Sequence, residues 1–427
     1  MRAAPMDPQV SDPRVSVVIK SYNHAAYVGQ TIQSILDQSF QDFEIVVTDD
    51  GSTDGTADVI RRFADPRIHL RVFEQNRGIS TAMNATIARA RGEYIAILNS
   101  DDFALPGRLE RQVACLRANS AIAAVFGLPR TVDEAGEPTR SFFDFAFPLS
   151  LPDLSRTSLL RNFFFHCNFL CAPTAMIRRS VYGQLGSYDP RLTNLQDFDM
   201  WVRLCTGHDI HIMPEELTAF RIRADHRNAS APRIDTALRS QFEFARILRR
   251  YRAMSPDFLR RIFAGDLAAN EIAADGPHDR WLAELALTSA TPAHRLFALE
   301  TLFESAQTEA DLARLRDAAG SVDLFGVLSG LERDRQIAAL GKAVAERDQQ
   351  LAGLNQAIAQ RDAALDAGLE RDRQIAALGK AVAERDQQLA RLNQAIAQRD
   401  AALDAVFRST SWRYTAPLRR MIERLRK

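Results

Sequence analysis

The chain has 427 residues, enough for two or three structural units and a sizeable buried core. Its 54 lysines and arginines match 54 aspartates and glutamates, so net charge supplies no general attraction to nucleic acid or anionic membrane. Four cysteines (Cys115, Cys167, Cys171, Cys205) are too sparse for a disulfide scaffold and predict free thiols in a reducing compartment.

Residues 1–13 carry no apolar leader and predict a disordered N-terminus. No later stretch offers the roughly 20 apolar residues of a membrane span, so the expected location is the cytoplasm. From residue 15 strand and helix alternate. VSVVIK is followed by a helix near Tyr27 to Gln38, FEIVVTD by a helix from Asp54, and IHLRVF (68–73) by a helix to about Arg91. EYIAIL (93–98) and AIAAVFG (121–127) read as further buried strands. Short apolar strands separated by helices predict an α/β domain, a mostly parallel sheet covered on both faces.

Open sheets of this kind bind ligands outside the carboxyl ends of their strands, so polar residues should gather there. Lys20-Ser21-Tyr22-Asn23 follows the first strand, Asp49-Asp50-Gly51-Ser52 the second, and Asn99-Ser100-Asp101-Asp102 the strand at 93–98.

Residues 128–230 are less regular: PRTVDEAGEPTR reads as a turn, RSVYGQLGSYDPRL as a helix end and loop, and LQDFDMWVRLC as a helix. His166, Cys167 and Cys171 in NFFFHCNFLC have the composition of a metal cluster, but the apolar run favours core packing. Residues 231–330 read as a helical extension without strand pattern. Residues 331–368 and 369–406 form a tandem repeat differing only at Gly353 versus Arg391 and Gly368 versus Val406. Apolar residues recur every seven positions (Ile375, Val382, Leu389, Ile396, Leu403), with a companion position that alternates leucine and arginine. This predicts a coiled coil and a homo-oligomer; a single exposed helix is the alternative, since arginines at alternate core positions weaken the seam and glycines weaken the helix. Residues 407–427 end in a basic amphipathic tail, with Leu418, Met421, Ile422 and Leu425 on one face. Docking on the cytoplasmic face of the inner membrane is the expectation, a partner-binding helix the alternative.

Chemistry points to the acids. Asp101 and Asp102 after a strand supply the carboxylate oxygens that Mg²⁺ or Mn²⁺ takes beside substrate phosphates, and the same pair also suits an ordinary turn. Asp49-Asp50-Gly51-Ser52 reads equally as a turn and helix cap. Asp197 and Asp199 flank Phe198 before Met200-Trp201, where a carboxylate against an apolar wall could accept a proton, or serve as a salt-bridge partner.

In combination these segments carry a resemblance. VSVVIKSYNHAAYVGQTIQSILDQSFQDFEIVVTDDGSTDGT, QNRGISTAMNATIARARGEYIAILNSDDFALPGRLERQ and LQDFDMWVRL resemble, in order, the motifs of family 2 inverting glycosyltransferases over residues 14–230. The resemblance implies a GT-A nucleotide-diphospho-sugar transferase fold. It implies that Ser21, Tyr22, Asp50 and Asp101 bind the nucleotide, that Asp102 coordinates Mn²⁺ or Mg²⁺ with His226 approaching the ion or the diphosphate, and that Asp197 deprotonates the acceptor hydroxyl. The implied partners are a nucleotide-diphospho-sugar donor and a lipid-linked or glycan acceptor, in bacterial surface polysaccharide synthesis such as O-antigen, capsule or exopolysaccharide. No nucleic acid is expected. Lys20, Asn99 and Gln196 depart from the family's usual proline or threonine, aspartate and glutamate. An alternative is a non-catalytic scaffold in which the coiled coil and tail act and the sugar-nucleotide fold is inherited; the intact acids argue against it.

Overall fold

The computed structural model describes residues 12–139, 147–151, 153–223, 234–289, 291–320, 353–354, 357 and 371–408. Residues 1–285 and 286–427 form two compact units.

Among the described residues the first unit is built on eight strands: β1 Val15–Ser21, β2 Phe43–Asp49, β3 Ile68–Val72, β4 Tyr94–Asn99, β5 Phe103–Ala104, β6 Ile122–Val132, β7 Met176–Arg178 and β8 Asp209–Arg221. They lie in the order β3-β2-β1-β4-β7-β6-β8-β5. The β3-β2-β1-β4 half is parallel throughout. β7 then runs antiparallel to both β4 and β6, while β6 and β8 pair in parallel. The parallel half is the one the apolar runs predict. The short β5 and β7 escape a reading based on five-residue runs, and Pro214-Glu215-Glu216 interrupts the alternation of β8. Those central residues are exposed, and the β6/β8 register slips beside them.

Among the described residues, seven α-helices accompany the strands as far as residue 207: α1 Val28–Leu36, α2 Thr56–Arg61, α3 Ile79–Ile87, α4 Arg108–Ala118, α5 Arg156–His166, α6 Arg179–Leu185 and α7 Gln196–Gly207. α8 Ile234–Arg252, α9 Pro256–Ala269 and α10 His278–Leu287 follow. Side chains alternate across a strand, and this sorts the two faces. Val15, Val17 and Ile19 of β1, Ile45 and Val47 of β2, and Ala96 and Leu98 of β4 form one core with Ile32 and Ile35 of α1, Ile60 of α2 and Leu109, Val113 and Leu116 of α4. Opposite parity sends Thr48 toward α3, where the Thr86 hydroxyl donates to it at 2.8 Å. Lys20 and Ile97 share that parity and reach Ile79 and Met83 of α3. The same two-residue period that builds the core therefore turns Lys20 inward on the opposite face.

In the second unit, α11 Pro292–Ser305 and α12 Glu309–Gly320 precede a 38-residue helix, Arg371–Arg408, about 57 Å long at 1.5 Å per residue. Between 378 and 393 its half-exposed residues are Leu378, Val382, Arg385, Leu389 and Leu392, spaced alternately by four and three, and the rest are exposed. These positions belong to the predicted heptad pattern, on the helix of a single chain. His226, most of the first repeat and residues 409–427 of the tail lie outside the described residues.

Candidate active site

The carboxyl ends of β1, β2 and β4 lie side by side. Register pairs Ser21 with Asp49 and Lys20 with Asn99, and the Asp50 N–H donates to the Ser21 carbonyl at 2.8 Å. Three of the predicted segments thus share one rim. The turn after β2 requires glycine: Gly51 has φ of 75°, and a Cβ there would sit 2.6 Å from the Gln75 carbonyl carbon.

On that rim Tyr22 is 44% exposed, an open aromatic face suited to stacking. Ser21 is buried, and its Oγ has no hydrogen-bond partner among the described residues. Asp50 is buried too; its two oxygens accept from the Arg77 and Gly78 N–H groups at 2.7 and 2.9 Å. Burial pushes its carboxyl up, against those two bonds. Asp50 therefore ties the β2 end to the start of α3, and each of its oxygens keeps a second lone pair for a ligand.

Asp101 and Asp102 are buried in the turn after β4. Asp102 Oδ1 accepts from the Arg221 N–H at 2.8 Å and Oδ2 from Asn99 Nδ2 at 2.8 Å. Burial, reinforced by the charge of Asp101, holds the Asp102 carboxyl well above the usual carboxylate range. Asp101 Oδ2 lies 3.8 Å from His24 Nε2 and 3.5 Å from Arg223 Nε. His24 Nδ1 also meets Ser100 Oγ at 2.7 Å, and burial pushes the imidazole down, toward the neutral form. Arg221 is 1% exposed; its guanidinium donates to the carbonyls of Asp101, Asp133 and Glu134 and to Gln30 Oε1. His24, Arg221 and Arg223 carry no prediction above. Their partners are remote in sequence, and only the neighbouring SYN motif gave His24 a local signal.

Asp197 stands in the first turn of α7, where a carboxylate also favours the positive end of the helix. It is partly buried, accepting from its neighbour's Phe198 N–H at 2.8 Å and from Asn168 Nδ2 at 3.1 Å. Burial raises its carboxyl to about 6, opposed by the Phe198 N–H, the Lys20 charge and the Asn168 amide. Asp197, Gln196 and Tyr188 share with Lys20, Ile79, Met83, Ile97 and Ala172 a cavity of about 20 Å³, close to the space of one water. Within this shell Gln196 Oε1 is buried without a partner among the described residues. Lys20 feels Asp101, Asp197 and Asp102 together, although burial lowers the basicity of its ammonium. The acids of the turn after β4 and of the first turn of α7 therefore both favour the charged form of Lys20.

Asp199, by contrast, is structural: it pairs with Arg203 at 2.9 Å and with Arg250 of α8 at 2.8 Å. Of the candidate cluster, Cys171 is buried, Cys167 half-buried and His166 exposed, and among the described residues no cysteine forms a disulfide. Among the described residues no group of three or more histidines, cysteines or acids converges as a protein cage for a metal.

The family model "Glycosyl transferase family 2" matches residues 16–186. An uncharacterized glycosyltransferase of Methanocaldococcus jannaschii, MJ1057, is 32% identical over 220 residues, spanning 50% of this chain and 72% of its own. TuaG of Bacillus subtilis, named as a teichuronic acid biosynthesis glycosyltransferase, is 33% identical over 213 residues, 49% of this chain and 79% of its own. The chain belongs to glycosyltransferase family 2. A crystal structure of Staphylococcus aureus TarS with UDP-GlcNAc aligns with TM-score 0.48 and 15% identity, over 72% of this chain and 91% of that one. The family 2 domain has the GT-A fold, a mixed α/β sheet between helices, and the chain adds helices after it. It is a glycosyltransferase. Asp197 lies eleven residues beyond the family-model match, which stops at residue 186.

Proposed function

We propose that this glycosyltransferase transfers a sugar with inversion from a nucleotide diphosphate to an acceptor hydroxyl, and that Asp197 is the base. The supporting observation is the cavity shared by Asp197, Gln196 and Lys20. A carboxylate raised to about 6 is largely ionised at neutral pH yet basic enough to take a proton. The cavity has room for a hydroxyl or a water, and Gln196 Oε1 offers such a group an acceptor. Proton transfer to Asp197 would release the acceptor oxygen to attack the anomeric carbon, from the side opposite the departing diphosphate. Ser21 with its unpaired hydroxyl, exposed Tyr22, Asp50 and Asp101 would hold the nucleotide.

The donor set fits a hard divalent cation. Mg²⁺ and Mn²⁺ take one or two carboxylates and complete their shell with phosphate oxygens and water, without a protein cage. Asp101 and Asp102 supply two carboxylates, and Asp102's high protonation tendency is what a nearby cation would reverse. Asp102, with Asp101 and His226, would hold the ion, whose chemistry is to offset negative charge on the leaving diphosphate.

Because TuaG carries a name in teichuronic acid biosynthesis, a bacterial surface polysaccharide is the acceptor class we assign. The spacing of residues 378–392 supports self-association through the long helix. No described helix is long and apolar enough to cross a membrane. Contact of the tail with the cytoplasmic face of the inner membrane rests on its basic amphipathic sequence. Incubating the protein with a panel of nucleotide sugars and Mn²⁺, and following the anomeric proton by NMR, tests the reaction. An inverted product that disappears with chelator is expected; a retained anomeric configuration would contradict the mechanism.

A further inference from the structure

The segment that carries Asp197 is not held by its own helix alone. Residues 193–195 lead into α7, and their three consecutive N–H groups point at one carboxylate from outside the sheet. Glu243, in the middle of α8, is 2% exposed. Its Oε1 accepts from the Thr193 N–H at 2.8 Å and the Thr193 hydroxyl at 3.1 Å. Its Oε2 accepts from the Asn194 and Leu195 N–H groups at 2.9 and 2.7 Å. Four donors on one buried carboxylate are charge-assisted bonds, stronger than their neutral counterparts. Successive backbone N–H groups of this kind form an anion-binding concavity, filled here by a side chain.

Further ties run along the same two helices. Asn194 Nδ2 donates to the Thr236 carbonyl at 3.0 Å and to Ser240 Oγ at 3.2 Å, and Arg250 reaches Asp199 of α7. The other flank of the loop is pinned by α3. Asn84 exchanges hydrogen bonds with the Tyr188 backbone, and the Ser80 hydroxyl donates to the Leu192 carbonyl. Residues 188–195 are thus gripped from both sides, and Asp197 follows two residues later.

We infer that Glu243 is a positioning residue for the transfer reaction, fixing the entry to α7 so that the Asp197 carboxylate faces the cavity with Lys20. This gives α8, beyond the family-model match, a part in catalysis, and it rests on the reading of Asp197 as base. Tight placement matters because a displacement of about 1 Å at a reacting group can cost about 100-fold in rate.

Glu243→Gln keeps the shape but turns an NH₂ group toward N–H donors. In the full-length protein its expected effect is a fall in kcat of tenfold or more, with the donor Kd changed by less than twofold. Phe242→Ala, at an exposed neighbouring position, should retain the parent kcat. Unchanged kcat in Glu243→Gln, or parallel loss of kcat and donor binding, overturns the assignment. Should Glu243→Gln not fold, Asn194→Ala decides: a several-fold drop in kcat at constant donor Kd supports the clamp, and parent kcat overturns it. Full activity in Asp197→Asn would instead remove the base reading, so the two failures are distinguishable.

Discussion

Lys20 Nζ donates to Asn99 Oδ1 at 2.6 Å, and the amide of Asn99 passes the contact on to Asp102. A lysine and an asparagine, facing each other in β1/β4 register, thus connect the acidic turn to the cavity of Asp197. Both depart from the family's usual residues at these positions. In the structure they form a pair that links Lys20 to the Asp102 carboxyl.

Lys20→Met should raise the pKa of Asp197, because removing a nearby cation disfavours the carboxylate. Cys171 and Tyr188, the other titratable groups that feel Asp197, are themselves raised by burial and neutral at pH 7. The acid limb of the kcat/KM profile should move upward by on the order of one pH unit. An unmoved limb would show that Lys20 does not act on the base.

The parent enzyme should lose kcat/KM below about pH 6 with a slope of one, as Asp197 takes up its proton. Stability changes in the opposite sense. The folded pKa lies above the unfolded value, so between about pH 4 and 6 the native state holds the extra proton, and stability falls as pH rises through that window. Asp197→Asn should therefore raise the unfolding free energy at pH 7.5, by at most about 3 kcal/mol before screening, and with it the melting temperature. A melting temperature lowered at pH 7.5 would speak against a strained carboxylate.

Arg221→Met should destabilise the domain. The guanidinium serves three backbone carbonyls and Gln30 at a position only 1% exposed, and its loss strands those acceptors. A cost of about 2–4 kcal/mol in urea unfolding follows from the price of buried unsatisfied groups. A midpoint equal to the parent's would show that water replaces the guanidinium freely.

Asp102→Asn should weaken Mn²⁺ binding measured by titration calorimetry in the presence of a nucleoside diphosphate, by tenfold or more. The folded state should persist, since the amide can still accept from the Arg221 N–H. Parent-like Mn²⁺ affinity would move the ion elsewhere.

The parallel half of the sheet was legible because β1, β2 and β4 are continuous apolar runs ending in polar turns, a pattern local to each segment. The start of α7 was legible for a similar reason, as an acid opening an apolar helix, FDMWVRL. What escaped depends on pairing at long range. His24 meets Ser100 and Asp101, Arg221 meets Asp102, and Glu243 meets residues 193–195, all across separations that no periodicity encodes. A lone glutamate in an amphipathic helix looks like a solvated residue until the fold buries it. β8 was hidden by Pro214 and two glutamates on an exposed stretch.

The central claim is that Asp197 removes the proton from the acceptor, and single-turnover transfer by Asp197→Asn tests it most directly. The account predicts parent-like binding of the nucleotide sugar together with a transfer rate reduced by about 1,000-fold or more. Transfer at the parent rate with donor bound would contradict it.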